Sequence, residues 1–317
     1  MPQVTDPRSA RWWADAQYPT VDPGRRAHYG DFYNGPPDAG PLALVHGNCQ
    51  AEALRVVLAP STAEHMVRVP PAHELTADDI EPLRALLART TLLVSQPVRD
   101  DYRDLPIGTR QLARLLPRAG RVLRVPIVRY LGLHPYAAIV RHPADRSAVP
   151  PVVPYHDLRT VAVAAGRPKA APADAAALRA VGVASVAELS RREHAGCDVR
   201  ISDLLEGLGV DAVHTLNHPG NHVVVALARR VHAALGGTGE VAEPGRTLLG
   251  EVLAPLEPAV LAARGLTAAP REHWIVRGQT VTDETVQAAH LAWYADNPEW
   301  VAAALTTHAD RINSLGL

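Results

Sequence analysis

The chain has 317 residues but only two cysteines, Cys49 and Cys197, one phenylalanine, and a single lysine, Lys169, beside 31 arginines. Two cysteines without a CxxC or other paired spacing make neither a disulfide scaffold nor a cysteine-based zinc site. No run reaches the ~18–20 apolar residues that span a bilayer, so membrane insertion is not expected. The opening stretch, MPQVTDPRSARWWADAQ, carries acidic residues and no apolar h-region. A secretory signal is therefore not expected, and a cytoplasmic location is. The net charge of −1 offers neither a nucleic-acid footprint nor an acidic tail. No GxGxxG or GxxxxGK[ST] stretch occurs, which removes dinucleotide and Walker-type sites. The near-exclusion of Lys, alongside abundant Ala, Val and Pro, reflects GC-rich coding rather than function, so a single arginine is weak evidence for a ligand.

What is present is ordinary soluble-protein material, 47 % apolar and 21 % charged, in a length that suits one large domain or two modest ones. Residues 1–40, rich in Pro, Gly and aromatics, read as an arm packed against the rest. From Pro41 strands and helices alternate. LALV, HMVRVPP, TLLVSQP and RVLRVPIVRY read as strands. CQAEALRVVLA, TADDIEPLRALLART (N-cap Thr76) and IGTRQLARLLP read as helices. Continuous apolar runs between amphipathic helices predict a parallel sheet. After Tyr130 the chain becomes dense in Pro and His. PADAAALRAVGV, VAELSRREH and ISDLLEGLGV then read as short helices, and AVHTLNHPGNHVVVALARRVHAAL as strand, turn and long helix. The tail from Thr282 is helical with a break at Asn297-Pro298. The expected fold is α/β: a small parallel-sheet subdomain, about 41–130, embedded in a mainly helical, loop-rich cradle, 131–317. Together they form one catalytic domain over 41–317.

The stretch LALVHGNCQAEALRVVLAP carries the chemistry. Cys49 stands where a strand becomes a helix, the end of a parallel sheet at which ligands bind. The first amides of that helix lack intrahelical partners and carry the positive end of its dipole. They lower a thiol's pKa and can hold an oxyanion. Gly47 permits close approach, and Asn48 caps the helix or adds a donor. This is the logic of a nucleophile elbow with Cys in place of Ser. The competing reading makes Cys49 a small buried filler of the junction.

HGNCQ after an apolar strand, SQPVRDDYR at 95–103, GLHPY at 132–136, LNHPGNHVVVALARRV at 216–231 and the tail HWIVRGQTVTDETVQAAHLAWYADNPEWV occur in one order. The set resembles the WcbI-type polysaccharide-biosynthesis enzymes, proposed acetyltransferases that bind coenzyme A. The resemblance covers about residues 40–317. It implies an α/β subdomain in a helical cradle with CoA in a deep, loop-lined pocket that includes Cys49, Asn48 and Gln50.

A thiol or hydroxyl site also needs a base, normally His. His218, at a second strand-end turn, and His134, in GLHPY, are the candidates. His142 and His222 join the ligand-binding set. Ser95 and Gln96 belong at the same sheet edge as Cys49, where Ser95 can donate to a carbonyl or pantetheine amide. Arg99 and Arg103 can fork onto a CoA phosphate, unless they are paired with Asp100, Asp101 or Asp104. His218 and His222 lie four apart, but the intervening PGN and the lack of an HExxH-like Glu argue against metal. Asp211-x-x-His214 echoes an esterase dyad but reads as packing.

The expected function is a CoA-dependent acyltransferase, using acetyl-CoA as donor and a sugar, polysaccharide or sugar-bearing small molecule as acceptor. A Cys-dependent esterase or thioesterase, or a non-catalytic CoA- or glycan-binding module, are the alternatives.

Overall fold

The computed structural model describes residues 22–36, 40–145 and 148–317. The chain divides into two compact units. The first is built from the sequence up to Pro126, with Gly196–Val199 and Ala228–Ala242 added from later in the chain. Its elements are helices α1 (Pro23–His28) and α2 (Gly30–Asn34), strand β1 (Leu42–His46), α3 (Cys49–Leu58), β2 (His65–Val67), α4 (Ile80–Leu87), β3 (Thr90–Ser95), α5 (Thr109–Ala113) and β4 (Arg121–Arg124).

The four strands form one parallel sheet in the order β2-β1-β3-β4. Every residue of β1 is buried, as its continuous apolar run predicts. The chain leaves β1 toward β2 and then returns across it to β3. The sheet's direction of growth therefore reverses between β1 and β3, the place where open α/β sheets bind ligands. Register pairs Val45 with Val94 and His46 with Ser95, so both strands end level. β4 is shorter than its apolar run suggests and stops at Arg124. Pro126 cannot donate to a neighbouring strand, which ends the ladder.

Leu83, Leu86 and Leu87 recur at helical spacing on α4 and pack with Leu42, Leu44 and Leu93 of the sheet. Phe32 and Tyr33 of α2 belong to the same core. The described part of the N-terminal arm is thus integral to this unit; residues 1–21 and 37–39 lie outside the described structure. Asp79 fastens the arm. Fully buried, it accepts from the Thr76 amide at 2.9 Å, closing a capping box, and from Tyr33 Oη and Arg25 Nη2.

The second unit comprises 127–195, 200–227 and 243–317. Short ladders, β5 (Ala137–Ala138) with β6 (His156–Asp157), β7 (Val213–Thr215) with β8 (His218–Pro219), and β9 (Val252–Leu253), β10 (Trp274–Val276) and β11 (Gln279–Val281), lie among helices. These are α6 (Leu158–Ala164), α7 (Ala175–Gly196), the first half of α8 (Asn221–Ala234), α9 (Pro258–Ala263), α10 (Asp283–Asp296), α11 (Pro298–Thr307) and α12 (Ala309–Ser314). Two expected short helices are one: α7 runs 22 residues through Gly182. A Cβ there would fall 2.7 Å from Arg264 Nη1 and 3.3 Å from the Gly132 backbone, so the glycine serves close packing and does not end the helix. ISDLLEGLGV forms only single 3-10 turns at Ser202–Leu204 and Gly209–Asp211. The tail breaks at Asn297, as expected. Its aromatics stack around His156, whose ring centroid lies 4.0 Å from that of Trp300 and whose Nδ1 is 2.7 Å from Tyr294 Oη.

Asp79→Ala should lose a cap and two charge-assisted bonds at once, costing about 3 kcal/mol in urea unfolding. Arg84→Ala, which removes an exposed pair with Glu81, should cost under ~0.5 kcal/mol in the same measurement.

Candidate active site

The turn after β1 is built by two side chains. Asn48 is the N-cap of α3: its backbone is extended, and its Oδ1 accepts the Gln50 amide at 2.9 Å. Gln96, from the level end of β3, accepts the Asn48 amide on Oε1 at 2.8 Å. Its own amide donates to His46 O at 2.8 Å, extending the ladder one step beyond the strands. Gly47 lies under this side chain. A Cβ on Gly47 would sit 2.2 Å from Gln96 Oε1 and 2.9 Å from its Cγ, so only glycine fits. Ser95 is fully buried, with its hydroxyl 2.9 Å from Gln96 O and 3.0 Å from Thr109 Oγ1. It braces Gln96 from within.

Cys49 opens α3, so the backbone amides of Cys49 and Gln50 at the helix start act electrostatically on its sulfur. Both favour the thiolate, as the helix N-terminus predicts. Burial outweighs them, aided by the Glu74 charge, and pushes the thiol up to about 11. The expectation of a lowered pKa is therefore corrected: the positioning is as expected, but desolvation sets the sign. Next to it His46 is buried, with Nε2 3.0 Å from Ile107 O, and desolvation holds it down at about 4.

Arg99 and Arg103 follow on an exposed loop whose backbone is left-handed at Asp101, Arg103 and Asp104. Neither forms an ion pair with the neighbouring carboxylates. Asp100 pairs with Arg110 at 2.8 Å, and Asp101 accepts from Gln111 at 2.7 Å. No carboxylate holds either guanidinium; that of Arg99 donates to Asp100 O at 3.4 Å and lies 5.9 Å from the Tyr102 ring centroid, and no bond joins them to the Cys49 turn.

In the second unit His134 is buried, and its Nε2 has no hydrogen-bond partner among the described residues. It lines a cavity of about 170 Å³ with Tyr136, Asp157, Arg159, Arg271 and Trp274. Desolvation, then the Arg271 charge, lowers it to about 4. His218 belongs to β8 and does not precede a helix directly; α8 begins at Asn221. Its ring lies 3.4 Å from Tyr155 Oη, and burial, then His214, lowers it to about 4. His214 acts electrostatically on both His134 and His218. His142 is committed to its loop: Nδ1 accepts the Ala144 and Asp145 amides, and Nε2 sits 3.0 Å from Glu299. His222 is exposed and 3.7 Å from Asp211. Among the described residues no group of three or more His, Cys, Asp or Glu side chains could hold a metal ion, and no helix is long and apolar enough to cross a membrane.

Tyr155, His214 and Arg271 were not singled out as site residues by sequence. Arg271 stands three residues before Trp274, at the edge of the tail motif. Tyr155 lay unmarked in the Pro-rich stretch, and His214 was read as packing.

A parallel sheet whose growth reverses beside a cysteine-bearing, glycine-dependent strand-to-helix turn defines an α/β protein with an elbow-like site. The profile of the WcbI polysaccharide biosynthesis enzymes matches residues 42–240, and the chain belongs to that family. A solved structure of WcbI, described as a novel polysaccharide biosynthesis enzyme, superposes with a TM-score of 0.66 over 84 % of this chain and 99 % of that one, at 20 % identity. That structure is of the native protein without a disulfide bond between CoA and one of its cysteines. A comparison with curated proteins finds no match.

Gly47→Ala should cost about 1–3 kcal/mol through overpacking against Gln96. In a Gln96→Ala background the same substitution should cost close to nothing, a non-additivity that urea denaturation of the four proteins measures. Equal costs in both backgrounds would refute the contact.

Proposed function

We propose that this chain is a CoA-dependent acyltransferase that moves an acetyl group from acetyl-CoA to a hydroxyl or amine of a sugar, polysaccharide or sugar-bearing small molecule. The observation that carries the reading is Cys49: a thiol at the β1/β3 reversal and at the N-terminus of α3, where the first helix amides favour negative charge on sulfur. The family supports it, as does the naming of CoA together with a cysteine for the solved WcbI, which is there without a disulfide between them.

In this reading Cys49 Sγ attacks the thioester carbonyl and the amides at the start of α3 hold the oxyanion. The CoA sulfur leaves with the proton given up by Cys49, and the acetyl group then passes to the acceptor oxygen or nitrogen. Because burial keeps the free thiol neutral, its proton must depart as the new C–S bond forms. His218 and His134, both neutral at working pH, are the proposed bases. Asn48, Gln50 and Gln96 shape the ligand's approach to the turn. Arg99 and Arg103, free of carboxylate partners, meet the CoA phosphates as charge-assisted forks.

Acetyl-CoA at ~100 times its dissociation constant should stabilise the protein by about 2.7 kcal/mol, read as a melting shift. Cys49→Ala should keep that shift and lose transfer in an acceptor screen read by mass spectrometry. Arg99→Ala with Arg103→Ala should weaken CoA more than pantetheine. Histidines held near 4 place the acid limb of kcat/KM well below the 6.5 of free imidazole, since activity persists until they protonate. No shift with any acyl-CoA at millimolar concentration removes the proposal.

A further inference from the structure

A second cavity, of about 560 Å³, lies wholly within the second unit and falls in the ~300–1,000 Å³ range of small-molecule sites. One wall is a single face of α7, where Val181, Ser185, Glu188 and Arg192 recur at helical spacing; another is α12, with Arg311 and Ser314. Most of the remaining lining is apolar, with Leu131, Ile139 and Leu216 prominent.

The charges in this apolar setting are unbalanced. Arg311 Nε and Nη2 are buried without a hydrogen-bond partner among the described residues, and so is Nε2 of the adjacent His308. Leaving buried charged donors unsatisfied is costly unless a ligand completes them. Arg129, also in the lining, is exposed and forms no ion pair with a carboxylate among the described residues. Desolvation, then repulsion from Arg192 and Arg141, lowers its pKa. Burial, opposed by the Asp157 charge, pushes Arg311 down to about 10, so it stays charged at neutral pH. The acids in the lining do not offset this pair. Glu188 is committed to Arg191 and Arg192, and Asp310 is exposed and bonds neither arginine. Two guanidiniums, neither in an ion pair among the described residues, match a dianion better than a carboxylate, because a phosphate monoester carries −1.5 to −2 near neutrality. The planar fork of arginine suits phosphate oxygens.

We propose that this cavity binds a phosphate monoester carried on a short apolar stem, with Arg311 and Arg129 holding the phosphate and the Leu131, Ile139, Val181 and Leu216 wall taking the stem. The reading is independent of the acyl-transfer proposal at Cys49, and it gives this member of a polysaccharide-biosynthesis family a second ligand of amphiphilic, phosphorylated chemistry.

The test is isothermal titration of the full chain with octyl phosphate, octanoate and octyl glucoside. Octyl phosphate should bind saturably, and the other two at least tenfold more weakly. Arg311→Gln should weaken octyl phosphate ten- to a hundredfold, the span expected for a charge-assisted bond. Ala184→Trp, made at an exposed position on the cavity-facing side of α7, should block it by filling space without touching the arginines. Both variants should keep the acetyl-CoA melting shift. No binding of octyl phosphate at millimolar concentration, equal affinity for octanoate or octyl glucoside, or indifference to both substitutions would overturn the proposal. Loss of the acetyl-CoA shift together with octyl phosphate would show one shared site and overturn a separate ligand.

Discussion

The fit of Gln96 over Gly47 is the constraint from which the proposed site follows. A β1 that ends level with β3 brings the two residues together, and the absence of a Cβ lets the amide side chain close onto the Asn48 N–H. With that amide satisfied from outside, the Asn48 side chain is left to cap α3 by accepting the Gln50 amide, which sets Cys49 at the helix start. Ser95 and Thr109 hold Gln96 in place from beneath. Gly47 and Asn48 therefore each have a mechanical reason to be what they are, before any chemistry is considered.

The same geometry sets two electrostatic effects against each other. A helix N-terminus stabilises a thiolate, whereas a dry surrounding destabilises it, and here burial is the larger effect. A thiol kept neutral in the free protein is protected from adventitious oxidation and alkylation, since only the thiolate reacts. It becomes useful when a bound thioester gives its developing charge a destination. The histidines of the second unit follow the same rule in the opposite direction: desolvation keeps His134 and His218 uncharged at neutral pH.

The parallel sheet was legible because each strand is an uninterrupted apolar run followed at once by helical periodicity, and the turn was legible because Gly, Asn and Cys stand together where the period changes. Thr76 as a helix start was readable from its place before the helical stretch, and the structure adds the Asp79 half of its capping box. The reach of β4 was not, since a run of apolar residues does not show that Pro126 ends the pairing. The single helix α7 was hidden by Gly182, whose packing against Gly132 and Arg264 is a tertiary fact. The thiol pKa had the wrong expected sign because a sequence shows the helix terminus but not the depth at which it is buried. The sequence could place Arg99 and Arg103 beside three acids, but only the structure shows those acids engaged elsewhere or unpaired with them.

The central claim is that Cys49 carries the acyl group, and trapping it is the direct test. The protein is incubated with acetyl-CoA in the absence of acceptor, quenched in acid, digested and analysed by peptide mass spectrometry. The account predicts an acetyl adduct on the Cys49 peptide, none on that of Cys197, and discharge of the adduct once an acceptor is added. An unmodified Cys49 in a protein that still transfers acetyl groups would contradict it, and would reduce the cysteine to a packing residue in a site that transfers directly.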